Sequence, residues 1–311
     1  MNLFTDDTIF ARDFFTDSLK WQSLPSPSIS DPSLLNLMNT VFKKPNNLYK
    51  TESPVPFWPF LLLVKHATES QFELLHKITR KGSVLPDGLI CLAGSGSAFK
   101  GFRDRTWQAT QGNIHISIHF TPNKPIANFF AGFQVMAALS VIQTLKSIPG
   151  LKGKIALKWV NDITINDAKV AGVLTKSASK GDIVTSALIG IGLNVNTVPD
   201  VLPDAFVPKV TSIKANMMDS PVLKLDSVLI SLLDHLNKNY QLLLSNNYES
   251  IFQDYRKNSA VIGREVEIFS DPAQGNSSLI ARGIVSEIGE HLDLHLHNQI
   301  HPIRSGRVVY L

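Results

Sequence analysis

Lys158-Trp159-Val160-Asn161-Asp162-Ile163-Thr164-Ile165-Asn166-Asp167-Ala168-Lys169-Val170-Ala171-Gly172-Val173-Leu174 is the stretch on which the fold turns. Leu157 to Ile165 carries strand-forming residues, Asn166-Asp167 offers a turn, and Val170 to Leu174 returns as a second strand, so a hairpin is predicted. Its polar residues are unusual for a strand near a core. A lysine beside a tryptophan, with Asn and Asp following, is costly to bury unless its charge has a partner. A Lys–Asp surface ion pair on an edge strand is the plain reading.

Two neighbouring stretches add chemistry. Ala187-Leu188-Ile189-Gly190-Ile191-Gly192-Leu193-Asn194-Val195-Asn196 reads as a strand interrupted by glycines, where backbone meets something closely. Gly94-Ser95-Gly96-Ser97-Ala98-Phe99-Lys100-Gly101-Phe102-Arg103-Asp104-Arg105-Thr106-Trp107 reads as a mobile loop with clustered cations. Guanidinium forks and backbone N–H groups both suit phosphate oxygens, although a solvated basic loop has the same composition.

Lys-Trp-x-Asn-Asp, a turn, Lys-x-Ala-Gly-x-Leu and then Gly-x-Gly-x-Asn resembles the central signature of biotin–protein ligases, within the biotin/lipoate protein ligase family. The resemblance runs from about residue 61 to the C-terminus. Lys100, Gly101, Arg103, Arg105 and Trp107 fall on that family's Gly-Arg-Gly-Arg-Arg-Gly-Arg-x-Trp loop, with Phe102 where an Arg is common and Asp104 where a Gly is common. Thr68 and Ser70 fall on its Ser-Thr-Asn-type motif, from which Glu69 departs, and Ser70 is also placed to cap a helix. The resemblance implies an α+β fold, a mixed sheet packed against helices, followed by a small C-terminal SH3-like β-barrel. Short strands after residue 261, split by turn residues, have the cadence of such a barrel.

The chain of 311 residues, 44% hydrophobic and 18% charged, fits one large domain or two modest ones. We divide it into an N-terminal extension (1–56), a catalytic domain (57–260) and the C-terminal domain (261–311). Within the extension, Ile9 to Trp21 suggests a short helix, Pro25 to Pro32 a linker, and Ser33 to Phe42 a helix. No helix-turn-helix pattern is seen there, so the repressor-type DNA-binding domain of some biotin ligases is not expected. The net charge of +4 lacks the clustered Lys and Arg of a nucleic-acid footprint, and no long uncharged apolar run marks a membrane span. The single Cys91, in an apolar run, fits a reducing compartment, and the cytoplasm is the default location. Ile114, Ile116, Ile118 and Phe120 alternate with His115, Ser117 and His119; the histidine spacing could hold a metal, but no third ligand is evident nearby.

The activity implied is condensation of biotin with ATP to biotinyl-5'-AMP, then transfer to a lysine of a biotin carboxyl carrier protein. Bringing a carboxylate to a phosphate needs preplaced cations. Lys158 is the expected catalytic cation, with Arg105 beside it. Lys100, Arg103 and Arg105 would grip phosphate, Asn161 and Asp162 would position Lys158 or a Mg²⁺ ion, Gly190 and Gly192 would let the bicyclic ring of biotin pack against backbone, and Gly172 and Asn194 are expected among the cofactor-binding residues. No dedicated metal ligands, nucleic acid or membrane are expected as partners, and a homodimer is left open. Lipoate or another acyl carboxylate as substrate, and a catalytically idle adenylate-binding protein, remain alternatives.

Overall fold

The computed structural model describes residues 1–15, 19–24, 32–53, 55, 57–217, 222–271, 276–297 and 299–311. Most of the expected linker, residues 25–31, lies outside the described residues, and Pro32 already opens a helix. The elements in chain order are β1 (Asn2–Thr5), α1 (Thr8–Phe14), β2 (Gln22–Leu24), α2 (Pro32–Val41), β3 (Leu48–Glu52), β4 (Phe60–Ala67), α3 (Gln71–Arg80), β5 (Leu89–Gly96), β6 (Ile114–Phe120) and β7 (Lys124–Pro125). Then follow α4 (Phe129–Ser147), β8 (Ile155–Lys158), β9 (Asp162–Ile165), β10 (Ala168–Lys180), β11 (Ile183–Leu193), α5 (Leu225–Leu244) and α6 (Tyr248–Lys257). The chain closes with β12 (Glu265–Phe269), β13 (Leu279–Ile288), β14 (Leu294–Leu296) and β15 (Arg307–Tyr310).

A large mixed sheet in the order β2-β3-β1-β4-β5-β6-β11-β10-β9-β8 organises the molecule, and β14-β13-β12-β15 form a separate antiparallel sheet. The pairings β1–β4 and β4–β5 are parallel. Alternation sets the two layers. Ile114, Ile116, Ile118 and Phe120 join Val135, Val141, Leu229 and Leu236 in one core, while Leu62, Val64, Leu89 and Cys91 pack with Leu37, Phe72 and Leu75 in the other. A cavity opens on this second face, beside Phe72 and Leu174.

Three expectations change. Residues 1–56 are not a separate extension: β1 lies between β3 and β4, with Asn2 opposite Phe60 and Thr5 opposite Leu63. Leu3 and Phe4 are buried in opposite cores, so this short strand is part of the sheet rather than an annex to it. The strand expected from Leu157 to Ile165 is instead two antiparallel strands, with Lys158 opposite Asp162 across a turn. That turn is fixed from outside, because the buried Trp159 indole donates to the Leu292 carbonyl at 2.7 Å and the Tyr255 hydroxyl to Val160 at 2.9 Å. Finally, α4 is long and apolar enough to cross a membrane by length and composition; here nearly all its turns are buried against the sheet, α5 and α6.

Candidate active site

Strands β10 and β11 present Gly172, Gly192 and Gly190 on the face towards α3, with Gly172 directly opposite Gly192. A cavity of about 270 Å³ opens over them. The glycines make room for aromatic rings. A Cβ at Gly192 would fall 2.2 Å from the Trp107 ring, and one at Gly190 would fall 3.1 Å from Phe72. Both rings line the cavity beside Gly172, Gly190 and Gly192. Trp107 is held by His115: its indole N–H donates to Nδ1 at 3.2 Å, and the other ring nitrogen donates to the Thr110 carbonyl at 3.0 Å. Burial pushes the His115 pKa down to about 4, which keeps the imidazole neutral and able to accept that bond.

A one-residue irregularity decides which lysine enters. The β9–β10 register shifts between Lys169 and Ala171, so Val170 and Ala171 both turn into the core and Lys169 joins Gly172 on the cavity wall. Its ammonium lies 2.7 Å from Asp162 Oδ1 and 5.8 Å from the centre of the Trp107 ring. Both partners of the ion pair are mostly shielded from solvent, so the cation is held in a fixed place.

Lys158 is the principal correction. It does not line the cavity; its ammonium donates to the Phe206 carbonyl and sits 5.3 Å from the Tyr310 ring centre. Burial lowers its pKa. Asp162 positions Lys169 in its place. Asn161 lines the cavity while its amide donates to Val173, which returns a backbone N–H to the Asn161 carbonyl, tying the turn to β10. Asn194 donates to the Thr211 carbonyl at 3.0 Å and keeps its Oδ1 buried without a hydrogen-bond partner beside the cavity.

The basic loop differs in part from expectation. Gly94 to Gly96 belong to β5, not to a mobile lead-in. A Cβ at Gly94 would fall 2.2 Å from the Phe10 ring, so this glycine serves a close packing contact. Beyond it the loop closes on itself, with Gly101 N–H donating to the Arg105 carbonyl at 2.7 Å and Trp107 N–H to the Phe99 carbonyl at 2.9 Å. Lys100, Gly101 and Arg105 line the cavity, whereas Arg103 does not. Arg103 has a φ of 53° and turns to Asp271, 3.7 Å away, as does Arg105. Phe102 lies beside both guanidiniums, 5.6 and 5.8 Å from its ring centre. Ser70 lines the cavity and occupies the cap position of α3 without a side-chain cap bond. Thr68 faces a second cavity of about 90 Å³ on the far side of that turn.

Residues 71–194 match the profile of the Biotin/lipoate A/B protein ligase family. The chain carries a domain of that family. The ligase-family domain contains the glycine strand and the β9–β10 hairpin just described. The chain is 31% identical over 153 residues to "Bifunctional ligase/repressor BirA" of Bacillus spizizenii, covering 49% of this chain and 46% of the relative. It is 34% identical over 109 residues to "Biotin--[acetyl-CoA-carboxylase] ligase" of Paracoccus denitrificans, covering 35% and 45% respectively. The matches span a little under half of these relatives' lengths. A biotin protein ligase from Aquifex aeolicus, solved in complex with biotin and ATP, shares the fold at a TM-score of 0.60 and 21% identity, over 81% of this chain and 98% of that one.

Sequence reasoning missed Lys169, Phe72, Phe99, His115, Asp204 and Arg307, all of which line the cavity. Lys169 stands in the quoted hairpin, but only the bulge reveals its side. Arg307 comes from β15 and is brought in by packing between the two sheets. Among the described residues no group of His, Cys, Asp and Glu could hold a metal ion.

Proposed function

We propose that this chain is a biotin–protein ligase, forming biotinyl-5'-AMP from biotin and ATP and passing biotin to a lysine of a biotin carboxyl carrier protein. The observation that carries the reading is the convergence of a strand-held Lys169–Asp162 pair and a loop-held Arg105 on one cavity in a ligase-family domain. In the first step the biotin carboxylate forms a bond to the α-phosphorus and pyrophosphate leaves. Lys169 offsets the charge where the two anions meet. In the second step the target amine bonds to the acyl carbon, AMP leaves with its electron pair, and the amine loses a proton. Asn194 Oδ1 is a ready acceptor for a ligand N–H, and Trp107 and Phe72 supply apolar walls. Mg²⁺ fits here as a companion of the ATP phosphates rather than in a protein cage, because the Asp162 carboxylate is already engaged by Lys169.

The reading includes an SH3-like form for the C-terminal sheet and a cytoplasmic setting, the latter supported by the buried free thiol of Cys91. A pyrophosphate-release assay with biotin and lipoate as competing acids tests the activity. Release that depends on biotin supports it; release with lipoate alone, or none from a folded chain that still binds ATP, overturns it.

A further inference from the structure

Arg307 opens β15, yet its guanidinium lines the cavity of the large sheet. It lies 3.6 Å from the Phe206 ring centre and 3.3 Å from Asp204 Oδ2, with its side chain only 15% exposed. Docking the two sheets would be served by the stacking alone. The charge is what needs an explanation, because Arg105 enters the same cavity from the opposite support. Burial and the charge of Arg105 both lower the Arg307 pKa, so the two guanidiniums feel each other across the space. Two cations converging in a shielded cavity disfavour one another until an anion enters between them.

Asp204 is built for a resident counter-ion. Its Oδ1 accepts the backbone N–H groups of Phe206 and Val207, leaving Oδ2 for Arg307. We propose that Arg307 is a substrate-contacting residue, binding the polyphosphate end of a nucleoside triphosphate opposite Arg105, and that Asp204 competes for it. This rests on the ligase reading above. A polyphosphate is favoured over a carboxylate because two planar forks from separate elements match an oxygen-rich anion of several charges. Lys169 already serves the single carboxylate.

Calorimetry on the full chain tests this, with inorganic pyrophosphate, ATP and biotin each titrated separately. Arg307→Gln should weaken pyrophosphate and ATP binding about tenfold or more while biotin affinity stays within about twofold. Asp204→Asn keeps an oxygen for the two backbone donors and removes the competing charge, so pyrophosphate should bind several-fold more tightly. Loss of tightness in Asp204→Asn, or unchanged pyrophosphate binding in a folded Arg307→Gln, overturns the proposal. If Arg307→Gln fails to fold, the Asp204→Asn titration decides alone. Wild-type protein that binds neither ATP nor biotin would overturn the ligase reading itself; wild type that binds both, with indifferent variants, overturns only the role of Arg307.

Discussion

Lys169 and Arg105 face one cavity from supports of opposite stiffness. Lys169 stands on a strand paired on both sides, at hydrogen-bonding distance from Asp162. Arg105 stands on a short loop, where its Nε donates to the Phe102 carbonyl at 2.9 Å, and the carboxylate it pairs with among the described residues, Asp271, lies 3.7 Å away, too far for a good hydrogen bond. A cation that must meet developing charge gains from a fixed position, whereas one that must wrap a finished intermediate gains from freedom to shift. Under the ligase reading we propose, the difference in support assigns two tasks: the hairpin would make the adenylate and the loop would keep it.

The sharpest way to break that division is Lys169→Ala. We expect pyrophosphate release to fall roughly 10²–10³-fold, in line with about 2.7–4 kcal/mol for one preorganised donor. Lys158→Ala, whose ammonium faces Phe206, should retain far more turnover. Stopped-flow pyrophosphate release on both folded variants checks this, and equal losses would return Lys158 to the chemical step.

A second effect tests how firmly the wall beneath Lys169 is held. The unfolded chain protonates His115 near 6.5, whereas the folded chain holds it down to about 4, so the unfolded state takes up the proton first. Stability should therefore fall as pH drops from about 6.5 towards 4, by up to about 3 kcal/mol. Denaturant midpoints across that range, compared between wild type and His115→Gln, should show the variant lacking most of the slope. His119 is also shifted down by burial, and the variant separates its share.

A smaller effect sharpens the loop side. Arg105→Ala at saturating ATP should leave pyrophosphate release nearly intact but raise stray biotinylation of an unrelated protein about 10-fold or more, reflecting a lost charge-assisted bond of roughly 1.5–3 kcal/mol. If both readouts fall together, Arg105 belongs with Lys169. The smallest expected effect is at Gly192. Gly192→Ala forces the Trp107 ring aside and should cost about 1–3 kcal/mol of stability, with a shift in tryptophan emission.

Much of this was legible before the structure. The alternation from Ile114 to Phe120 and the glycine strand stand in the sequence as they stand in the sheet. The turn at Trp159–Asn161 was not, because Trp and Val are strand formers and only contacts from Leu292 and Tyr255 bend the chain there. The choice between Lys158 and Lys169 was hidden for a related reason, since strict alternation would put Lys169 on the core face with Ala171 and Val173. β1 was illegible because its partner β4 begins more than fifty residues later, and four residues carry too little period to declare a strand.

The irregularity at Val170 also bears on how such a chain can drift over time. Substitutions between Lys169 and Gly172 leave the chain's count unchanged and can be absorbed by repacking. Losing a single residue there would restore strict alternation, and an unpaired ammonium would then face Leu157 and Ile163 in the apolar layer. In lineages carrying this hairpin, changes of length between Asp162 and Gly172 should therefore be far rarer than changes of identity.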